Sequence, residues 1–326
     1  MTRARIVVTR RIFPGLIAEL EATRDVVANQ NDAILAPDEL ARRLQPADGA
    51  LLTAGERIDA ALLARCPLLK VVSNIAVGYN NIDLAACTQF GVAAANTPDV
   101  LNEATADHAW ALLMAAARRI GESERFLRAG HWRRWEFEMF LGAPVGGATL
   151  GVLGMGRIGR AIARRASGFS MRVLYHNRTR LPADDENGAV WTGKDELLRE
   201  SDHVIVVVPY SQPTHHLLGA DELKLMKPTA VLVNIARGGV VDDGALIDAL
   251  REKRIAAAGL DVFENEPNLR PGFLQLDNVV LTPHIASATA PTREAMARLA
   301  MRNLDDVLRG QRPAALLNPE VWERRR

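Results

Sequence analysis

One glycine-rich segment constrains the fold of this chain more than any other. The run ATLGVLGMGRIG, residues 148–159, joins an apolar stretch to glycines spaced as Gly154-x-Gly156-x-x-Gly159, and a helical pattern follows. A strand, a tight turn and a helix in this order are the context in which such glycines bind a dinucleotide. Gly154 permits the turn, Gly156 lets a pyrophosphate approach the backbone, and Gly159 lets the helix pack closely on the strand. The helix N-terminus then offers free N–H groups to the phosphates.

The size and composition of the chain exclude several classes of protein. A length of 326 residues favours two domains over a single core. The formal net charge of +1 gives no electrostatic case for binding nucleic acid or an acidic membrane. Two cysteines, Cys66 and Cys87, make neither a disulfide framework nor a metal cluster, so we expect no metal. We find no signal peptide and no apolar stretch of about 18 residues, and therefore expect a cytoplasmic protein without a membrane span.

Strand-like and helix-like segments alternate along the chain in two series, which predicts a doubly wound α/β fold. In the first series we predict strands at 5–9, 26–28, 49–53 and 70–74, and helices at 14–22, 37–44 and 58–65. In the second we predict strands at 149–153, 172–175, 203–208, 230–234, 257–261 and 279–282. Only the second series contains the glycine segment. The pattern therefore predicts a small domain followed by a dinucleotide-binding domain.

Two further helices complete the predicted organisation. The series join near Pro98 and Asp99, a favourable helix start, and one long helix is predicted at 100–120. Its apolar face would pack in the core, and it could also form a dimer interface. A second amphipathic helix is predicted at 295–308. We expect it to return to the first domain, because the second series is complete before it begins.

The residues that follow the second strand of the dinucleotide-binding unit indicate which cofactor it prefers. In NAD-binding units an acidic residue usually ends this strand and accepts hydrogen bonds from the ribose hydroxyls. Here no acid is present, and Asn177, Arg178, Thr179 and Arg180 follow the strand instead. A guanidinium group matches a phosphate, which a carboxylate would repel. The sequence therefore favours the 2′-phosphate of NADP(H), with NAD(H) possible if both arginines are only surface charges.

Three later segments each place an ionisable residue just past a predicted strand. These residues are Arg237, Glu266 and His284. In open α/β sheets, ligands bind at the carboxyl ends of the strands. Any one of the three side chains could be structural or merely solvated. Their occurrence together with the glycine segment predicts a group that carries out chemistry.

Six motifs occur in order along the chain. They are VGYNNIDL at 77–84, NTPDVLNEATADHAWALLM at 96–114, LGVLGMGRIG at 150–159, NIARGGVVD at 234–242, AGLDVFENEP at 258–267 and PHIASAT at 283–289. With them the chain resembles the D-isomer-specific 2-hydroxyacid dehydrogenases, and among these the glyoxylate/hydroxypyruvate reductases that also reduce 2-ketogluconate. The resemblance implies a flavodoxin-like substrate domain, residues 1–98 and 290–326, and a Rossmann domain, residues 99–289. It also implies a homodimer formed through the long helix.

The resemblance further implies roles for individual residues. Arg237 would bind the substrate, a small 2-oxo or 2-hydroxy acid, and His284 would be the acid/base with Glu266 as its partner. The backbone at Val77 and Gly78 would hold the substrate carboxylate. In the reductive direction, an ionised Glu266 would stabilise the protonated imidazole that donates a proton to the forming alkoxide. The cofactor would be bound by Thr105, Gly154, Met155, Gly156, Arg157, Ile158, Gly159, Asn177, Arg178, Thr179, Arg180, Val208, Pro209, Thr214, Ile235, Ala236, Asp261, His284 and Ala286, with Asp261 on the nicotinamide carboxamide.

Two other functions stay open at this point. One is an NAD-linked D-2-hydroxyacid dehydrogenase for a different substrate. The other is a nucleotide-sensing binding protein similar to transcriptional corepressors, which share this fold and can retain the three ionisable residues. A turnover assay and a peptide-binding assay would distinguish such a binding protein from an enzyme. The resemblance also suggests that Trp132 or Trp135 reaches the substrate site of a neighbouring subunit, with packing at a dimer interface as the alternative.

Overall fold

The computed structural model of the protein describes residues 3–324. The chain divides into two compact units, one formed by Met1–Leu101 with Thr289–Arg326 and the other by Asn102–Ala288. We call them the small unit and the large unit. Each contains one parallel β-sheet with helical connections, and the prediction of two doubly wound parallel-sheet domains is confirmed.

The small unit is built on a five-stranded sheet with the order β2-β1-β3-β4-β5. Its strands are β1 (Arg5–Val8), β2 (Asp25–Ala28), β3 (Gly49–Leu52), β4 (Val71–Asn74) and β5 (Ala93–Ala95), and its helices are α1 (Pro14–Glu21), α2 (Pro37–Leu44), α3 (Ala60–Ala64), α4 (Leu84–Gln89) and α12 (Ala290–Leu308). Every ladder is parallel, and all residues of β3, β4 and β5 are buried. This burial explains why these strands read as continuous apolar or small residues and do not alternate.

Helix α12 packs against β3, β4 and β5 of the small unit. It begins five residues before the predicted start, and the side chain of Thr289 caps it by accepting a hydrogen bond from the amide of Thr292. A proline in the first turn, Pro291, is compatible with this earlier start because its missing N–H needs no partner there. The short elements α4 and β5 were not predicted, since an alanine triplet carries no strand signal of its own.

The large unit is built on a seven-stranded parallel sheet with the order β12-β11-β10-β9-β6-β7-β8. Its strands are β6 (Thr149–Leu153), β7 (Arg172–His176), β8 (Val190–Trp191), β9 (His203–Val206), β10 (Val231–Asn234), β11 (Ala257–Leu260) and β12 (Val279–Leu281). Its helices are α5 (Asn102–Ala117), α6 (Ile120–Arg128), α7 (Arg157–Ala166), α8 (Ala183–Glu186), α9 (Lys194–Glu200), α10 (Ala220–Leu225) and α11 (Asp243–Arg251). The order reverses between β9 and β6, and such a switch point is where open α/β sheets bind ligands.

The long helix predicted at 100–120 is present as α5, which is shorter than predicted by two residues at its start and three at its end. A separate helix, α6, begins at Ile120, and between the two lies Arg119, whose φ of +53° is in the left-handed region. The guanidinium of Arg119 is held at 2.8 Å by both carboxylate oxygens of Glu122 in the first turn of α6. A left-handed residue cannot continue a right-handed helix, so the chain changes direction at this point.

Helix α5 is a core element of the large unit. Trp110 and Leu112 are buried, and the indole N–H of Trp110 donates to the carbonyl of Ile162 in α7 at 3.1 Å. A Cβ on Gly259 of β11 would lie 2.9 Å from the Cβ of Leu112, so the glycine permits the close approach of helix and strand. Among residues 3–324, no helix is both long enough and apolar enough to cross a membrane.

Candidate active site

The glycine segment has the geometry that a dinucleotide requires. Gly154 has a φ of +105°, and a Cβ there would lie 2.9 Å from the carbonyl carbon of Val207. A Cβ on Gly159 would lie 2.1 Å from the carbonyl oxygen of Gly154, whereas Gly156 faces open space. Gly156 precedes α7, whose first-turn N–H groups have no intrahelical partners. Met155, Arg157 and Ile158 complete the turn, and the residues present fit a pyrophosphate at the helix N-terminus.

The loop after β7 contains an ion pair that the sequence did not reveal. Asn177 accepts a hydrogen bond from the amide of Met155 at 2.7 Å, which ties this loop to the glycine turn. The guanidinium of Arg180 binds both carboxylate oxygens of Glu186, at 2.8 and 3.0 Å. Arg180 and the hydroxyl of Tyr175 lower the pKa of Glu186 to about 2. An acid is therefore present beside the predicted phosphate site, and one of its two arginines already has a carboxylate partner.

The exposed side chains of Arg178 and Thr179 lie in the same loop. Trp191 of β8 covers part of it, because its indole N–H is 3.3 Å from the carbonyl of Asn177. The sequence stretch contained no sign of this contact, since Trp191 lies 14 residues further along the chain.

Three neighbouring strands place the predicted ionisable residues at one edge of the large sheet. Arg237 follows β10, Glu266 follows β11 and His284 follows β12, and these strands are adjacent and parallel. Nδ1 of His284 is 2.8 Å from Oε2 of Glu266, so the two side chains form a pair. The other oxygen of Glu266 accepts a hydrogen bond from the amide of Phe263 at 2.8 Å. That second bond fixes the carboxylate in the orientation that faces the imidazole.

The electrostatics of this edge keep Glu266 ionised. Burial opposes its ionisation, but the hydrogen bond from His284, with the charges of His284 and Arg237, holds the pKa of the carboxyl below its usual range. Burial lowers the pKa of the Arg237 guanidinium, and the charges of Glu266 and Asp261 oppose this. A guanidinium remains protonated in proteins. The site therefore presents one fixed cation beside an imidazole and carboxylate pair.

Asp261 is buried and organises the segment around His284. Its carboxylate accepts hydrogen bonds from the hydroxyl of Thr282 at 2.6 Å and from the amides of Ile285 at 2.8 Å and Ala286 at 2.9 Å. These bonds hold the backbone on both sides of His284, whose φ is +54°. The predicted contact of Asp261 with the nicotinamide remains a prediction.

His108 in α5 also belongs to this group, although it was not predicted as a site residue. Its Nε2 lies 3.0 Å from the hydroxyl of Thr282 and 3.3 Å from Oδ1 of Asp261. His108 thus links α5 to the turn that carries His284. Its position three residues after Thr105 places both on one face of α5, and that spacing could have identified it.

The remaining predicted cofactor residues line the same edge of the large sheet. Val208 and Pro209 follow β9, and Thr214 closes their loop by donating its hydroxyl proton to the carbonyl of Pro209 at 2.8 Å. Ile235 and Ala236 are buried directly after β10. These residues share an edge with the glycine turn, as expected for loops at the carboxyl ends of parallel strands.

Val77 and Gly78 belong to the small unit. The side-chain amide of Asn96 donates to the carbonyl of Val77 at 2.8 Å, and that of Asn74 donates to the carbonyl of Gly78 at 2.9 Å. Two buried amides therefore fix the backbone that we predict to hold the substrate carboxylate.

One cavity of the large unit lies away from this edge. It has a volume of about 1000 Å³ and is lined by residues at the amino ends of the strands, among them Asp202, Val231 and Asn278. Arg119 and Leu141, which follow α5 and α6, line it as well. Within residues 3–324, no cluster of three or more histidine, cysteine or acidic side chains could hold a metal ion.

Comparisons with known proteins show which family this chain resembles over most of its length. Residues 110–286 match the family described as D-isomer specific 2-hydroxyacid dehydrogenase, NAD binding domain. The glyoxylate reductase of Thermococcus onnurineus is 49% identical over 324 residues, covering 98% of this chain and 97% of its own. The glyoxylate reductase of Pyrococcus furiosus is 48% identical, covering 98% of this chain and 96% of its own.

Two solved structures are similar over nearly their whole length. The structure of a glyoxylate reductase from Paecilomyes thermophila has a TM-score of 0.87 and 32% identity, covering 98% of this chain and 99% of that chain. The NADPH-dependent glyoxylate/hydroxypyruvate reductase from Sinorhizobium meliloti, in complex with NADP and malonate, has a TM-score of 0.86 and 34% identity, covering 98% of both chains.

Proposed function

Because this chain belongs to the D-isomer-specific 2-hydroxyacid dehydrogenase family, we propose that it reduces glyoxylate or hydroxypyruvate to the corresponding 2-hydroxy acid, with NADPH as the preferred reductant. The chain is an NAD(P)-dependent oxidoreductase that acts on small 2-oxo or 2-hydroxy acids. The observation that carries the proposal is the 2.8 Å contact between His284 and Glu266 at the edge that also carries Arg237.

His284 supplies the proton in the proposed reduction. Its Nδ1 faces Glu266, so Nε2 is the nitrogen left to donate to the oxygen of the 2-oxo group. The ionised Glu266 stabilises the imidazolium and holds the ring in one orientation. The amide of Phe263 fixes Glu266 in turn. When bound, the reduced nicotinamide supplies the hydride.

Arg237 binds and polarises the substrate in this proposal. A guanidinium offers two parallel donors that match a carboxylate or a neighbouring pair of oxygens. Its charge also stabilises negative charge that develops on the 2-oxo oxygen. The fixed backbone at Val77 and Gly78 is our proposed cradle for the substrate carboxylate. Glyoxylate and hydroxypyruvate need only a small pocket, whereas 2-ketogluconate needs a longer one.

The preference for NADPH is supported by the loop after β7. Arg178 is exposed in this loop, and Arg180 has further N–H donors besides the two that bind Glu186. The similar Sinorhizobium meliloti reductase is NADPH-dependent. The opposing observation is Glu186, whose negative charge lowers the attraction of Arg180 for a 2′-phosphate.

We further propose that the protein is a homodimer. Six large apolar side chains between α6 and the end of the following loop are exposed: Ile120, Leu127, Trp132, Trp135, Phe137 and Leu141. An exposed apolar patch of this kind commonly marks a protein interface. Trp132 and Trp135, 54% and 73% exposed, are the residues that we expect a second copy to cover.

The test is the initial rate of NADPH and NADH oxidation with glyoxylate, hydroxypyruvate, pyruvate and 2-ketogluconate. We expect turnover of glyoxylate or hydroxypyruvate that is faster with NADPH. A preference for NADH would keep the roles of His284, Glu266 and Arg237 and reject those of Arg178 and Arg180. Turnover of pyruvate alone would reject the proposed substrates, and no turnover with any of the four would reject the proposal.

A further inference from the structure

His216 lies where three segments of the large unit meet. Its Nε2 is 2.6 Å from Oε1 of Glu264, and its Nδ1 is 3.6 Å from Oδ2 of Asp242. Its backbone amide donates to the carbonyl of Gly239 at 2.7 Å. Glu264 lies in the loop that carries Glu266, and Gly239 lies in the loop that carries Arg237. One residue therefore contacts both loops without belonging to either.

The two loops are themselves in close backbone contact. A Cβ on Gly238 would lie 1.8 Å from the carbonyl oxygen of Phe263, a separation that only a glycine permits. The amide of Phe263 is the donor that fixes Glu266. A shift of Glu264 would therefore move its neighbour Phe263, and with it both the contact to Gly238 and the hydrogen bond to Glu266.

Glu264 has a second anchor on α11. Its backbone amide donates to Oδ2 of the buried Asp243 at 3.0 Å. The charged and titratable groups that face His216 or its partner Glu264 are Asp242, Asp243, Arg270 at 3.4 Å from Glu264, and His215, whose ring is stacked 3.9 Å from that of His216. The carboxylate of Glu264 is thus held from one side by His216 and its amide from the other by Asp243.

We propose that His216 is a positioning residue that, through Glu264, sets the distance between Arg237 and the Glu266–His284 pair. The activity readouts of this proposal rest on the proposed function. Displacing reacting groups by about 1 Å can lower a rate by on the order of 100-fold, so loss of this anchor should affect chemistry more than nucleotide binding. The loop that contains the predicted cofactor residues Val208, Pro209 and Thr214 is closed by the hydrogen bond from the hydroxyl of Thr214 to the carbonyl of Pro209, in which His216 takes no part.

The chain offers a matched pair of variants. The φ of His216 is +49°, a left-handed conformation that asparagine tolerates better than most residues. His216→Asn therefore keeps the backbone, but its amide is too short to reach Glu264. His216→Gln has a longer side chain whose amide can donate to Glu264. Both variants carry a neutral amide side chain, and they differ in whether that amide can reach Glu264.

We expect His216→Asn to lower kcat for the 2-oxo acid by at least about 10-fold, with a higher KM, and His216→Gln to recover most of this loss. The alkaline limb of the kcat profile should move to lower pH in His216→Asn, because a displaced Glu266 supports the imidazolium less. The dissociation constants for NADPH and NADH, measured by fluorescence, should stay within about 2-fold of the wild type, because the hydrogen bond between Thr214 and Pro209 does not involve His216.

A second readout does not depend on turnover. Amide hydrogen exchange of the segment 262–268 should be faster in His216→Asn than in the wild type and near the wild-type rate in His216→Gln. Unchanged kcat and unchanged exchange in His216→Asn would overturn the proposal. So would a lower melting temperature with wild-type kcat and pH profile, which would indicate a purely structural role. If the wild type reduces none of the four acids, the proposed function fails, and the exchange comparison still decides whether His216 holds the loop.

Discussion

The charge of Glu266 is the feature of the candidate site whose removal has the best-defined consequence. Glu266→Gln keeps the length of the side chain and an oxygen that can accept the Nδ1–H of His284, but removes the carboxylate charge. A hydrogen bond to a charged group contributes about 1.5–3 kcal/mol. The two side chains are 37% and 33% exposed, so solvent screening places the effect near the lower value, about 1.5 kcal/mol. We therefore expect kcat for reduction to fall about 10-fold near neutral pH.

The pH dependence distinguishes this reasoning from general damage to the site. Glu266 is ionised throughout the assay range because its pKa is held below the usual one. As the pH falls, acid in the solvent supplies the proton that the carboxylate otherwise favours on the imidazole, so the kcat values of the two enzymes should draw closer together. The assay is kcat as a function of pH, with Glu252→Gln as the control, because Glu252 is paired with Arg254 on the surface. An equal loss at every pH would refute the argument from charge.

Three other changes have defined outcomes. Arg237→Lys keeps the charge but loses the planar pair of donors, so KM for the 2-oxo acid should rise while the Kd for NADPH stays unchanged in fluorescence titrations. Burial raises the pKa of Asp243 to about 6 from 3.8, so the folded protein is more stable while this carboxyl is protonated and loses that stability as the pH rises through 6. At pH 7.5 the free energy of unfolding of Asp243→Asn should therefore exceed that of the wild type by up to about 3 kcal/mol. The difference, measured by thermal unfolding, should shrink below pH 6. Glu186→Gln releases Arg180 from a carboxylate, so the Kd for NADPH should fall severalfold relative to that for NADH; an equal change in both would exclude a contact between Arg180 and the 2′-phosphate.

The sequence predicts the frame of both units well, because the frame depends on patterns within short segments. Apolar runs separated by helical patterns identify most strands to within one or two residues, and the glycine segment identifies β6 and α7. Parallel strands end at one edge, so residues after β10, β11 and β12 were expected to lie together. The structure shows that Glu266 and His284 do make contact, while their chemical roles stay predictions.

Several contacts that orient side chains of the candidate site could not be predicted from the sequence of any single helix, strand or loop. Glu186 reaches back to Arg180 from α8, and His108 meets Asp261 from a position 153 residues earlier in the chain. Such pairs follow from the packing of elements, which no local pattern contains. The break at Arg119 has a similar origin, because arginine is a good helix former and nothing in its neighbours requires a positive φ.

The loop after β11 holds the candidate site together from its centre. In the sheet β11 lies between β10 and β12, so its loop is the one that can contact both of the others. Asp261 binds the backbone after His284 on one side, and Phe263 lies against Gly238, next to Arg237, on the other. Glu266, from the same loop, then faces the imidazole. The contact of Asp261 with the backbone after His284, the contact of Phe263 with Gly238 and the pairing of Glu266 with His284 all depend on this one loop. A substitution that loosens the loop should therefore weaken proton donation and substrate binding together.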